Sequence, residues 1–88
     1  MDDEKIIALF FARSEQAIKE VDLKYGKICH KISYNILGNN QDAEECVNDT
    51  YLGVWNAVPP QRPNPLLTFI CRIVRNLSYY ALSKKHSN

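Results

Sequence analysis

Four prolines stand within seven residues, Pro59-Pro60-Gln61-Arg62-Pro63-Asn64-Pro65, and no other stretch limits the fold of this 88-residue chain as strongly. Proline lacks an amide donor and turns the residue before it away from the helical conformation, so no helix can run through. The stretch must end one helix, serve as a stiff extended linker, and open another with Asn64 as cap and Pro65 as first position. On either side apolar residues recur every three or four positions, with no alternating strand pattern, internal repeat or low-complexity segment. The expected fold is all-α: a compact bundle of three main helices plus a short N-terminal one, in a single small domain.

The first helix is expected over about residues 3–12, capped by Asp2 or Asp3, with Ile6, Ile7, Leu9 and Phe10 as its apolar side. Arg13-Ser14 is a break, and Ser14 can cap a second helix over 15–37. Its apolar stripe is Ala17, Ile18, Val21, Tyr25, Ile28, Ile32 and Ile36, with Lys19, Lys24, Lys27 and Lys31 outside it. Gly26 interrupts that stripe at up to ~1 kcal/mol relative to alanine, and would let a neighbouring helix come close. Gly38 suits the position just past a helix end, and Asn40 can cap a third helix over 41–58. Placed about 100° apart, Ala43, Cys46, Val47, Thr50, Tyr51, Val54 and Val58 fill one arc of it. Glu45, Asn48, Asp49, Leu52 and Asn56 fill the opposite arc, with Trp55 at its edge. A leucine in the middle of an acidic face reads as a contact surface, or equally as a solvated face with one stray leucine.

A fourth helix is expected over 65–82. Leu66, Ile70, Ile73, Val74, Leu77 and Ala81 face the core, while Thr68, Arg72, Arg75, Asn76, Tyr79 and Ser83 share the other side. Guanidinium, amide and phenol groups on one acid-free face are the types that contact phosphates, base edges and base rings. Lys84, Lys85 and His86 extend the positive charge. The alternative is a solvated face with a frayed basic tail.

The net charge of +1 conceals a polarity that matters for partners. Residues 1–58 carry six Lys or Arg and ten Asp or Glu, a balance of −4, whereas residues 59–88 carry five Lys or Arg and no acid. Such a chain can offer an acidic face to a protein and a basic one to phosphates. No apolar run approaches the ~20 residues that span a bilayer, so no membrane role is expected. The acidic Met-Asp-Asp-Glu start is unlike a secretory signal, and a cytoplasmic location follows as the expectation. Cys29, Cys46 and Cys71 are odd in number and widely spaced, which suits reduced, packed thiols better than a metal site. No Ser-His-Asp set, phosphate loop or ligand cluster is present, so neither enzymatic activity nor a cofactor is expected.

Tyr25-Gly26, Ile36-Leu37-Gly38-Asn39, Asp42-Ala43-Glu44-Glu45, Asp49-Thr50-Tyr51-Leu52, Trp55 and Ile73-Val74-Arg75-Asn76 occur here in sequence. In this order and spacing they resemble region 2 of bacterial sigma factors, above all the extracytoplasmic-function group of the sigma-70 family. The resemblance covers roughly Ile6 to Leu82. It implies an all-helical module of RNA polymerase holoenzyme whose third helix docks on the clamp helices of the β′ subunit. Glu45, Asn48, Asp49, Leu52 and Trp55 would make that contact. It implies that the fourth helix opens the −10 promoter element and reads its non-template strand through Arg72, Arg75, Asn76 and Tyr79, with Lys84 and Lys85 beyond. Asn76 matches the family asparagine that approaches a flipped base. An anti-sigma factor is a further partner that the resemblance admits.

Phe69-Ile70 replaces the usual Trp-Leu, Asn48 stands where glutamine is commoner, and Tyr80 and Ser83 stand where the family often has Asp and Arg. A full sigma factor continues to a helix-turn-helix domain that reads the −35 element, and the expectation is that region 2 alone is represented here. The competing expectation from the residues is a helical protein-interaction module without a DNA role.

Overall fold

In the computed structural model, which describes residues 1–85, the chain forms four α-helices and, among these residues, no strand. They are α1 (Asp3–Phe11), α2 (Gln16–Leu37), α3 (Asn40–Ala57) and α4 (Leu66–Lys85). His86 lies outside the described residues. The three long helices pack pairwise, and α1 folds back along the first half of α2. Tyr25 and Lys24 of α2 both donate to the Asp3 carboxylate of α1, at 2.7 and 2.9 Å. Partial burial opposes ionisation of that carboxyl, but these two donors outweigh it and hold it below the usual range.

The caps explain where each helix begins and ends. Asp2 accepts from the Lys5 amide, so it, and not Asp3, starts α1. Ser14 Oγ, two residues ahead of the first residue of α2, accepts from the Gln16 amide. Gly38 takes the left-handed conformation at φ 69° and donates to the Tyr34 carbonyl, closing α2. The cap of α3 is Asn39 rather than Asn40, its side chain accepting from the Asp42 amide at 2.9 Å. After α3 the chain does not extend at once. Gln61 donates to the Ala57 carbonyl, so Val58-Pro59-Pro60 forms a turn, and α4 begins at Leu66 instead of Pro65. Its far end runs three residues past the expected Leu82, to Lys85, which is ion-paired with Asp42 at the start of α3.

The core is built from Ile6, Phe10, Val21, Val54, Val58, Leu66, Ile70 and Val74, all essentially inaccessible. Every member of the expected apolar arc of α3 is buried. The expected stripe of α2 is corrected. Its buried positions are Ala17, Val21, Tyr25, Cys29, Ser33 and Leu37, while Ile28 is 40% exposed and Ile32 and Ile36 are only half-buried. Steps of four advance about 40° each around a helix of 3.6 residues per turn. The seam therefore winds around α2, facing α1 first and α3 and α4 later.

Two sites show how closely the helices approach. A Cβ at Gly26 would lie 2.6 Å from Asp22 Oδ1 and 3.3 Å from Tyr51 Oη. Its absence makes room for Tyr51 of α3 to donate to Asp22 of α2 at 2.6 Å. Burial, reinforced by that carboxylate, pushes the Tyr51 phenol far up, so it stays a donor. On the other side of α2, the fully buried Ser78 Oγ donates to Ser33 Oγ at 2.8 Å, joining α4 to α2. Ser78→Ala strands a buried hydroxyl and is expected to cost ~1–3 kcal/mol, whereas adding Ser33→Ala should recover most of that loss. Urea denaturation of the two single mutants and the double mutant measures the coupling; additive losses would refute it.

Candidate polymerase and nucleic-acid surfaces

The acidic surface is set by the burial pattern of α3. Because Cys46, Val47, Thr50, Tyr51 and Val54 point inward, Glu45, Asn48, Asp49 and Leu52 must point outward, and all four are exposed. Leu52 is 57% exposed at the centre of this polar surround. Trp55 differs from these four. It is half-buried, tilted against Phe10 with ring centroids 6.1 Å apart, and covered by the Arg13 guanidinium 3.8 Å from its ring centroid. It is braced from α1 and its junction with α2 as well as standing at the edge of the acidic face.

Arg13 has no counterpart in the expected site. Its Nη1 donates to the Trp55 and Val58 carbonyls, both at 3.0 Å. No basic residue lies in the last turn of α3, so Arg13 brings from elsewhere the cation that its negative end favours. The only signal for it in the sequence was the Arg13-Ser14 break, which says nothing of a partner more than forty residues away.

The second surface lies on α4. Arg72, Arg75, Asn76 and Tyr79 are exposed, within about 100° of one another around the helix. The ion pairs of the described residues, Lys24–Asp3 and Lys85–Asp42, leave both arginines available to an outside anion. Ahead of them a shallow recess at the start of α4 is lined by Asn64, Thr68, Phe69 and Arg72. Asn64, expected only as a helix cap, thereby joins the surface on which the helical pattern already placed Thr68. Lys84 and Lys85 stand apart from it. Lys84 lies 4.9 Å from the ring centroid of the exposed Tyr80, and Lys85 is drawn to Asp42.

Cys29, Cys46 and Cys71 are all free thiols. Burial, with smaller effects from Cys71 and Asp22, pushes the Cys29 thiol up to about 11, so it is a packing group and no nucleophile. No cluster of three or more His, Cys, Asp or Glu able to hold a metal occurs among the described residues, and no helix among them is long and apolar enough to cross a membrane.

The described residues thus present an exposed acidic face on α3 and an exposed, acid-free basic face on α4. The sequence profile of the family described as Sigma-70 region 2 matches residues 23–87, well over half of the chain. The protein therefore belongs to the sigma-70 region 2 family, whose domains bind RNA polymerase and take part in recognising the −10 promoter element. That family is one of transcription factor modules. No curated protein and no solved structure matches the chain significantly.

Proposed function

We propose that this domain docks on the β′ clamp helices of core RNA polymerase through Glu45, Asn48, Asp49 and Leu52, with Trp55 at the rim, and reads the −10 non-template strand with α4. The observation that carries the DNA half is the single exposed face of Arg72, Arg75, Asn76 and Tyr79, beyond the last carboxylate side chain, Asp49. Its mechanism is differential binding without catalysis. Stacking on Tyr79 and contacts to an extruded base offset an unpairing cost of a few kcal/mol. Lys84 and Lys85 act later and more weakly, because Lys85 must first leave Asp42. The order of motifs favours the extracytoplasmic-function group, which works in the cytoplasm, with an anti-sigma factor as a further partner.

The arginines are non-specific anchors, so Arg75→Ala is expected to weaken binding to every strand alike and to reduce the salt slope by roughly 1. Asn76 can donate and accept at once, and a well-made contact of this kind discriminates by ~1–3 kcal/mol. Asn76→Ala should therefore flatten preference at one −10 position more than it lowers overall affinity. Titration of single-stranded oligonucleotides substituted at each −10 position measures both effects. An equal loss for every sequence would make Asn76 a backbone contact.

The exposure of Leu52 also supports a narrower reading, a protein-interaction module whose basic end serves only solubility. Salt-sensitive binding of the wild-type domain to a −10 single strand separates the two.

A further inference from the structure

We infer that Arg13 is a positioning residue that sets the segment from Val58 to Leu66, and through it the nucleic-acid face at the start of α4; the DNA part of this inference rests on the promoter reading above. Arg13 lies outside the residues matched to the family, 23–87, as does the whole of α1. Yet the N-terminal part holds this segment at three points. Arg13 grips its near end through the Trp55 and Val58 carbonyls while its guanidinium carbon lies 3.8 Å from the Trp55 ring centroid. In the middle, the Arg62 guanidinium rests 4.1 Å from the ring centroid of Phe11, the last residue of α1. At the far end Leu66 is fully buried in the same core cluster as Ile6, Ile7 and Phe10 of α1.

The backbone of Arg13 belongs to the turn that ends α1. Arg13 has φ 56°, in the left-handed region that side chains other than glycine, asparagine and aspartate rarely enter. The backbone bonds that close α1 account for it: the Ser14 amide donates to the Leu9 carbonyl at 2.9 Å and the Arg13 amide to the Phe10 carbonyl at 3.0 Å. The turn thus fixes the backbone of Arg13, and its side chain is what reaches the end of α3. A planar guanidinium can donate along its edge while stacking through its face, which an ammonium cannot do. The segment it steadies leads directly into Asn64, Thr68 and Arg72, so a shift there re-aims the face that would meet DNA.

The test uses Arg13→Gly and Arg13→Lys in the whole chain. Glycine relieves the left-handed backbone, so a role limited to the turn predicts a neutral or stabilised protein. Three quantities are read: amide exchange of Gln61, which is bonded to the Ala57 carbonyl; base preference on substituted −10 strands; and the salt slope of binding. Positioning predicts that Arg13→Gly stays folded by circular dichroism, exchanges Gln61 about tenfold faster and loses base preference about tenfold, with Arg13→Lys intermediate. The salt slope should not change, because Arg13 touches no phosphate. A slope lower by roughly one with preference intact would make Arg13 a direct phosphate contact and overturn the inference. Unchanged Gln61 exchange would overturn it as well. If the wild-type domain binds no −10 strand, the promoter reading falls, and Gln61 exchange alone then decides whether Arg13 sets the segment.

Discussion

Leu52→Asp is expected to weaken binding to the β′ clamp helices by ~2 kcal/mol or more while leaving the helical content unchanged. The size follows from where the side chain sits. Leu52 is exposed, and Glu45, Asn48 and Asp49 around it are exposed polar groups that can exclude water once a partner covers the centre. An aspartate there must either lose its hydration on docking without a partner or hold the surfaces apart. The fold should not notice, because the helix buries its opposite arc, from Ala43 to Val58. Titration of a clamp-helix fragment against wild type and mutant, with circular dichroism on both, measures each half of the claim. Equal affinity would move the interface off this face.

Phe10→Ala should destabilise the domain by ~3–5 kcal/mol, the range for truncating a buried phenylalanine. For a domain of this size that is a fall in Tm of roughly 12 °C or more. Phe10 is 1% exposed and meets the Trp55 ring, while its neighbour Ile6 is fully enclosed. Since α1 precedes the family-matched residues, this substitution asks whether the helix is an appendage or a part of the core. A thermal melt decides between them. A loss below ~4 °C would mean that α1 is a loosely docked flap, and a single tryptophan, Trp55, reports the same event as a change in fluorescence.

The acidic face and the basic face were legible because each is carried by one helix. Once Ala43, Cys46, Val47, Thr50, Tyr51 and Val54 are recognised as one arc, the outward direction of Leu52 follows from helical geometry alone. The same holds for Arg72, Arg75, Asn76 and Tyr79 opposite Leu66, Ile70 and Val74. Helix ends were legible to within a few residues where a short side chain or a glycine marks them, as at Asp2, Ser14 and Gly38.

What the amino-acid order determined by itself is therefore local: four helical segments, some of their caps, the outward faces of α3 and α4, and the ordered motifs of the family. The tertiary structure alone decided which side of the second half of α2 is buried, Ala17, Val21 and Tyr25 being buried as the periodicity expects. A helix shared by three neighbours turns a different strip to each, so polarity selected Ile28, Ile32 and Ile36 where packing selected Cys29, Ser33 and Leu37. It decided likewise that Ser33 meets Ser78, that Gly26 makes room for Tyr51 and Asp22, and that Lys85 turns to Asp42. It also placed Arg13 on Trp55 and Val58. Each of these joins residues from about twenty-five to forty-five positions apart, and no periodicity along one helix encodes the rotation and height at which two helices meet.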